Sequence, residues 1–179
     1  PAFHAILARR QFSPGHRVNA KPYQDLLVVD LTTTIAGPYC TRLLADLGAD
    51  VIKVETPEGD MMRTRPPIPD GYSRPFGQLN AGKRSVVLDL KQPEGAEALR
   101  RLVARADLLV ENFRPGVMAK LGLDYASLAE INPRLVYCAI SGYGQTGPSA
   151  GAPAYAPVVH AASGFELAHL AYLDNRERP

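Results

Sequence analysis

The fold class is indicated by the segment Leu26-Leu27-Val28-Val29-Asp30-Leu31, which is followed by the loop Thr32 to Gly37 and then by Pro38. A short and nearly continuous apolar run is typical of a β-strand that is buried on both faces. Pro38 suits the first turn of a helix, which we expect to reach Leu47 and to end at Gly48. The stretch therefore predicts a strand, a loop and a helix, which together form the first part of a βαβ unit.

Further apolar runs repeat this pattern along the chain. They lie at Val51–Val54, Ser85–Asp89, Leu108–Val110 and Leu135–Ile140. Helical stretches are expected to start at Pro93, Pro115 and Tyr125, and another helix is expected over residues 158–170. The proline-rich segment from Thr56 to Gly82 is expected to be mostly irregular. This alternation predicts an α/β fold, a Rossmann-like parallel sheet with flanking helices.

Composition excludes several classes of function. The chain has 179 residues with a net charge of +2, which is too small to favour nucleic acid or a membrane surface as a partner. No apolar run approaches the ~18 residues of a membrane span. Cys40 and Cys138 have no CxxC spacing, so they are expected to be buried, reduced thiols. The four histidines show no metal-ligand spacing, and neither a metal nor a permanently bound cofactor is expected.

The first 24 residues differ in charge from the rest of the chain. They contain no acidic residue, and their basic residues are Arg9, Arg10, Arg17 and Lys21. We interpret residues 1–24 as a flexible basic arm, and the alternative is the remnant of a targeting segment. A cytoplasmic location is expected, with the mitochondrial matrix as the alternative that the arm permits.

The loops that follow the predicted strands are the candidate binding residues, because parallel sheets bind ligands at the carboxyl ends of their strands. The loop before Pro38 opens a helix, whose free backbone amides favour an anion such as phosphate. After later strands, Phe113 could stack on a heteroaromatic ring while Lys91 or Lys120 met a phosphate. The alternative is that both lysines are solvated and that Phe113 belongs to the core.

Several segments, in their order along the chain, carry a family resemblance. They include Val29–Leu31, Leu47–Glu55, Asn80–Ser85, Leu88–Lys91, Val110–Gly116, Asn132–Tyr137 and Ser141–Pro148. Together they resemble the type III CoA-transferase family, which includes formyl-CoA transferase, carnitine CoA-transferase and α-methylacyl-CoA racemase. The resemblance extends without a break from about Leu26 to Gly164.

The resemblance implies a CoA-binding, N-terminal half of an interlaced fold. Residues 25–179 would form the N-terminal part of its large domain, incomplete at the C-terminus. The implied partners are a CoA thioester, a carboxylic acid and a second CoA-transferase chain, in a homodimer or a heteromer. CoA contacts carried over by position would be Thr34, Ile35, Ala36, Leu88, Asp89, Leu90, Lys91, Asn112, Phe113, Arg114, Lys120, Pro153, Ala154, Tyr155 and Ala156. Thr56 stands where some members have a CoA-binding arginine.

The resemblance also implies covalent catalysis by an aspartate in a downstream Gly-Asp motif, through mixed-anhydride and aspartyl-CoA thioester intermediates. No Gly-Asp follows Gly164, and Asp174 lacks a glycine neighbour. We therefore expect the nucleophile outside this chain, which alone would be inactive.

Three alternatives remain open from the sequence. The chain could be a non-catalytic CoA-binding or assembly subunit of a heteromeric transferase. It could be part of an acyl-CoA racemase, although racemases place a histidine where Tyr155 stands and often an acid at Ala156. It could also be a dinucleotide-binding domain, since Glu55 ends the second strand where a ribose-binding acid often lies. The G-x-G-x-x-G fingerprint of such domains is absent.

Overall fold

The computed structural model of the chain describes residues 21–170 and residue 172. The chain divides into two compact units, one ending at Ile140 and the other beginning at Ser141. Most of the basic arm predicted for residues 1–24 lies outside the described residues, as does Asp174. Within that arm, Lys21 Nζ donates to the Asp46 carbonyl at 3.1 Å, and Tyr23 N donates to the Leu47 carbonyl at 3.0 Å.

The first unit is built on a parallel β-sheet. Its strands are β1 (Leu27–Asp30), β2 (Asp50–Glu55), β3 (Arg84–Val87), β4 (Leu108–Glu111) and β5 (Val136–Ala139). Their order is β3-β2-β1-β4-β5, and each neighbouring pair is parallel. This arrangement confirms the predicted Rossmann-like sheet. The direction of strand addition reverses between β1 and β4, and such a switch point opens a crevice at the carboxyl ends of the strands.

Helices connect the strands of the first unit and form much of the second. They are α1 (Ala36–Asp46), α2 (Arg74–Asn80), α3 (Pro93–Val103), α4 (Val117–Lys120) and α5 (Tyr125–Ile131), followed in the second unit by α6 (Ala156–Ser163) and α7 (Phe165–Leu170). Short 3-10 helices span Met61–Thr64 and Pro69–Gly71. The single helix expected over residues 158–170 is therefore two helices, separated at Gly164.

Helix α2 corrects the prediction that residues 56–82 are mostly irregular. Ser73 Oγ accepts a hydrogen bond from Phe76 N at 3.3 Å and so caps the helix, and Pro75 lies in its first turn. A serine cap followed by an early proline is a helix-start pattern. The density of prolines around it concealed this local signal.

The core lies mainly on one face of the sheet. There, β1, β2 and β4 contribute Val29, Ile52 and Leu109, which pack against α3, α4 and α5. Helix α3 buries the face predicted for it, Ala96, Leu99, Leu102 and Val103. On the opposite face, Val28, Val51 and Val110 pack beneath α1.

The two cysteines are less buried than expected from the sequence. Cys40 and Cys138 are free thiols but are half-buried, and not buried as expected. Burial, with the neighbouring Cys138, raises the pKa of the Cys40 thiol. Among the described residues, no helix has both the length and the apolar character needed to cross a membrane.

Candidate ligand-binding site

A cavity of about 200 Å³ opens at the carboxyl ends of β1 to β4, and we call it the strand-end cavity. Its lining is largely apolar, with charged residues from β2 and from the loops. The residues that line it are Leu31, Thr32, Thr33, Lys53, Val54, Glu55, Thr56, Gly59, Asp60, Leu88, Asp89, Leu90, Lys91, Phe113, Val117 and Leu121. The cavity lies where the topology of the sheet predicts a ligand.

Five of the residues predicted to bind CoA line this cavity. Leu88–Lys91 form the loop after β3, and Phe113 follows β4. Lys91 N donates to Asp89 Oδ1 at 3.0 Å, so Asp89 stabilises the turn of its own loop. Phe113 is half-buried and packs against the main core cluster, and it also contributes to the wall of the cavity. Lys91 is exposed at the mouth of the cavity.

Other predicted residues are placed beside the cavity or elsewhere. Residues 34–36 continue directly from Thr33, and Asn112 precedes Phe113, but none of these four lines the cavity. Arg114 and Lys120 are exposed on the segment that follows β4. Residues 153–156 are exposed and lie in the second unit, immediately before and at the start of α6.

The loop between β1 and α1 is held by polar groups beneath it. The buried carboxylate of Asp30 accepts hydrogen bonds from Thr32 N at 2.8 Å and from Thr32 Oγ1 at 2.5 Å. Lys53 Nζ donates to the Thr32 carbonyl at 2.8 Å. Asn112 Oδ1 accepts from Thr33 N at 2.9 Å, and Asn112 Nδ2 donates to the Thr33 carbonyl at 2.8 Å. The backbone groups of Thr32 and Thr33 are therefore held by hydrogen bonds, which fix the first half of the loop.

The start of α1 approaches this loop closely. A Cβ atom on Gly37 would lie 2.3 Å from Thr32 Cβ, so only glycine fits at that position. Ile35 precedes the helix and provides no side-chain cap, and Pro38 has no N–H. The first turn of α1 therefore presents backbone amides that no side chain at the N-cap position satisfies.

A buried ion pair forms part of the lining. Lys53 Nζ and Asp60 Oδ2 are 2.8 Å apart, and their side chains are only 2% and 1% exposed. Asp60 Oδ1 accepts from Met62 N at 2.8 Å, which holds the turn after β2. Neither residue was predicted from the sequence to belong to the site. The available signal was a lysine inside the apolar run of β2, since a buried charge requires a partner.

The buried carboxylate of Glu55 is the centre of a second polar cluster. Its carboxylate accepts from Arg63 Nε at 2.6 Å, from Arg63 Nη2 at 2.7 Å, from Ser85 Oγ at 2.5 Å and from Asp60 N at 3.0 Å. Burial by itself raises the pKa of Glu55, but these hydrogen bonds outweigh it and lower the pKa to about 2. Glu55 is thus charged at neutral pH, and its oxygens are already occupied by hydrogen bonds.

A third buried pair fixes α1 from the side of α2. Lys83 Nζ lies 2.9 Å from Asp30 Oδ2, and it also donates to the Pro38 carbonyl and to Asn80 Oδ1, each at 2.9 Å. Burial lowers the pKa of Lys83, although the Asp30 carboxylate opposes this shift. The pair ties the first turn of α1 to the end of β1.

Phe113 is positioned by a buried acid. Glu111 Oε2 accepts a hydrogen bond from Phe113 N at 2.8 Å. Burial raises the pKa of Glu111, and burial together with the Glu111 carboxylate raises the pKa of the Tyr137 hydroxyl. The ring of Phe113 is therefore held at the cavity by the backbone geometry of the loop as well as by apolar packing.

The chemistry of the strand-end cavity fits a flat heteroaromatic group that carries phosphates. The apolar walls and the Phe113 ring suit the aromatic group, and Lys91 provides a cation at the mouth. Within residues 21–170 and 172, no three His, Cys, Asp or Glu side chains form a group that could hold a metal ion.

Comparison with known proteins identifies the family. The sequence model of CoA-transferase family III matches residues 23–174. The chain belongs to CoA-transferase family III. It is similar to the acetyl-CoA:oxalate CoA-transferase of Acetobacter aceti, with 49% identity over 82% of this chain and 38% of the relative. It is also 43% identical to the succinyl-CoA–L-malate CoA-transferase beta subunit of Chloroflexus aurantiacus, over 84% of this chain and 37% of that protein.

A solved structure supports the same assignment. A CaiB/BaiF family protein from Brucella suis is 46% identical and superposes with a TM-score of 0.77, covering 82% of this chain and 40% of that protein. The family III chain described here thus spans about two fifths of the length of these relatives. Its resemblance to the type III CoA-transferases, predicted from the sequence, is confirmed.

Proposed function

We propose that this family III chain is the N-terminal, CoA-binding portion of an acyl-CoA:carboxylate CoA-transferase. The observation that carries the proposal is the strand-end cavity, which joins the Leu88–Lys91 loop and Phe113 at the switch point of the sheet. Both segments are predicted to bind CoA, and they come from different parts of the chain. CoA or acyl-CoA is the substrate in this proposal, and no permanently bound cofactor is required.

The proposed ligand pose follows from the character of the lining. The adenine ring occupies the apolar cavity against Phe113, where aromatic stacking and apolar burial both favour it. The phosphates lie toward Lys91 and toward the amides at the start of α1. Arg114, Lys120 and residues 153–156 remain proposed contacts for the rest of the molecule.

In the proposed reaction, an aspartate outside this chain attacks the carbonyl of the acyl-CoA donor. The thioester C–S bond breaks, the CoA thiolate leaves, and a mixed anhydride forms. The thiolate then attacks the aspartyl carbonyl, which releases the donor carboxylate and forms an aspartyl-CoA thioester. The acceptor carboxylate attacks the aspartyl carbonyl and expels the CoA thiolate, and a second mixed anhydride forms. The thiolate then attacks the acceptor-derived carbonyl of this anhydride, which forms the new acyl-CoA and releases the aspartate. The role of the chain described here is to bind and orient CoA.

A second candidate function is a non-catalytic CoA-binding subunit that pairs with an active homologue. The relative from Chloroflexus aurantiacus that is named a beta subunit favours this candidate. Both candidates include a second CoA-transferase chain as partner, and both are placed in the cytoplasm. A racemase is less favoured because Tyr155 and Ala156 stand where racemases place a histidine and often an acid.

The dinucleotide-binding alternative is disfavoured by the surroundings of Glu55. A ribose-binding acid must have oxygens free to accept hydrogen bonds from the ribose hydroxyls. The Glu55 carboxylate instead accepts bonds from Arg63, Ser85 and the Asp60 backbone. Its role is to hold the loop after β2.

Calorimetric titration of the purified chain with CoA, and separately with NADH, tests the proposal. We expect CoA binding, and we expect Phe113→Ala to weaken it about tenfold or more because a stacking partner is lost. Phe165→Ala removes an exposed phenylalanine of the second unit and is the matched control. NADH binding without CoA binding would favour the dinucleotide alternative.

The proposed location of the nucleophile has its own test. The chain alone, incubated with an acyl-CoA, is expected to form no covalent adduct that hydroxylamine cleaves. A hydroxylamine-sensitive adduct on an aspartate of this chain would overturn that part of the proposal. CoA binding would then still support the binding site.

A further inference from the structure

The carboxamide of Asn112 joins two loops at the switch point of the sheet. Regular pairing of β1 with β4 ends where Leu31 N donates to the Val110 carbonyl at 2.9 Å. Beyond that point, Thr33 N donates to Asn112 Oδ1 at 2.9 Å and Asn112 Nδ2 donates to the Thr33 carbonyl at 2.8 Å. A carboxamide carries a donor and an acceptor, as a peptide group does. Asn112 therefore extends the hydrogen-bond ladder between β1 and β4 beyond the point where the strands separate. We call these two hydrogen bonds to Thr33 the Asn112 clamp.

The residue that follows Thr33 has an unusual backbone conformation. Thr34 has a φ of 71°, which is rare for a β-branched residue. Such a conformation persists only where the surrounding structure holds it in place. On one side, Thr33 is held at both its N–H and its carbonyl by Asn112. On the other, the carbonyl of the N-cap residue Ile35 accepts from Tyr39 N at 2.8 Å, in the first turn of α1.

Asn112 differs from Thr33 and Phe113 in its position relative to the strand-end cavity. Thr33 and Phe113 line the strand-end cavity, whereas Asn112 does not. Its Oδ1 and Nδ2 are both engaged by one residue of the opposite loop. We propose that Asn112 is a positioning residue, which acts through Thr33 to hold residues 33–36 in the conformation that receives CoA. This inference rests on the proposed CoA-binding function, and it assigns Asn112 a role other than the ligand contact expected from the sequence.

The chemistry of the clamp explains why asparagine is needed. Leucine has nearly the same shape but offers neither donor nor acceptor, so both bonds to Thr33 are lost. Aspartate keeps the acceptor for Thr33 N but loses the donor and places a negative charge beside the Thr33 carbonyl. Asn112→Asp is thus expected to have an intermediate effect, and Asn112→Leu the full effect.

Amide hydrogen exchange of the ligand-free chain, measured residue by residue by NMR, combined with CoA titration, tests the proposal. In Asn112→Leu we expect exchange of the Thr33 amide, which loses its acceptor, to accelerate about tenfold or more, and the Kd for CoA to rise by a similar factor. Exchange in the strands should change little. If Asn112→Leu does not fold, Asn112→Asp answers the same question with a smaller expected change.

The chain offers a matched control in Asn132. Its Nδ2 donates to the Val103 carbonyl at 2.9 Å and to the Ala106 carbonyl at 2.7 Å, outside the cavity lining. Asn132→Leu also removes carboxamide bonds to the backbone, so it reproduces the general loss of stability. It is expected to leave both the exchange at residues 33–36 and the Kd for CoA unchanged.

The outcomes separate the possible failures. Weaker CoA binding with unchanged loop exchange would make Asn112 a direct contact and overturn the positioning role. Faster loop exchange with an unchanged Kd would also overturn it, because the loop would not belong to the binding site. If the unsubstituted chain does not bind CoA, the proposed function fails, and the inference falls with it even where the exchange data show the clamp.

Discussion

The two faces of the sheet are stabilised by different forces. On the face covered by α3, α4 and α5, fourteen buried apolar residues form one cluster. On the face covered by α1, a cluster of four, Val28, Ala49, Val51 and Val110, lies beside charged residues. Asp30, Lys53 and Glu55 alternate with Val29, Ile52 and Val54, so they continue the α1 face toward the carboxyl ends of the strands.

The two faces place different parts of the site. Apolar packing is not directional, so it can hold helices against the sheet without specifying individual backbone groups. The charged side chains bind particular atoms, namely Thr32 N and the Thr32 carbonyl in the loop after β1, and Asp60 N after β2. The loops after β1 and β2 at the strand-end cavity therefore depend on the charged part of the α1 face, whereas most apolar wall residues belong to the opposite face.

The largest expected effect comes from removing one partner of the buried Lys53–Asp60 pair. Lys53→Met leaves the Asp60 carboxylate buried without its counter-charge, and we expect the free energy of unfolding to fall by about 3–5 kcal/mol. Urea denaturation at pH 7 measures the change. The double variant Lys53→Met/Asp60→Leu removes both charges and should lose less. Equal losses in the two variants would show that the unpaired charge is not the cause.

A cavity on the apolar face should cost slightly less and should not depend on pH. Leu102 is fully buried in α3, and Leu102→Ala is expected to lower the free energy of unfolding by about 3 kcal/mol. The loss should be the same at pH 7 and pH 3 because no titrating group is changed. A loss that differs between the two pH values would contradict the proposal that the stability of the apolar face does not depend on pH.

Acid should weaken the charged face selectively through Glu55. Its pKa is lowered from 4.5 to about 2 in the folded chain, so its contribution is present above pH 4.5 and is lost as the pH falls toward 2. We expect the stability difference between the unsubstituted chain and Glu55→Gln to shrink by about 2 kcal/mol between pH 7 and pH 3. Urea denaturation at both pH values measures it, with Leu102→Ala as the pH-independent reference. A difference that stays constant or grows would contradict the assignment.

The smallest effect is expected for an exposed ion pair. Arg84 Nη2 and Asp50 Oδ2 are 2.6 Å apart, but their side chains are 42% and 51% exposed. Arg84→Met should change the free energy of unfolding by less than about 1 kcal/mol, and added salt should reduce the difference further. A loss as large as that of Lys53→Met would mean that burial is not what makes the ion pairs of the α1 face important.

Much of the fold and part of the site could be predicted from the sequence. The apolar runs located the five strands found in the described part of the chain, and the spacing of Ala96, Leu99 and Leu102 located the buried face of α3. Because parallel sheets bind ligands at the carboxyl ends of their strands, Leu88–Lys91 and Phe113 were predicted as binding residues, and they line the cavity. Helix α2 was missed because a local serine cap outweighed a proline-rich composition, and Lys53 was missed because its partner is not adjacent in the sequence.

The strand–helix alternation, the parallel sheet and the family could all be predicted from the amino-acid sequence, because periodicity and local motifs are properties of neighbouring residues. Contacts between distant side chains follow from the tertiary structure. Asn112 and Thr33 are 79 residues apart, and Lys83 and Asp30 are 53 apart. Hydrogen bonds and ion pairs of this kind depend on distance and angle in three dimensions, so the parallel sheet had to bring the strand ends together before these contacts could form.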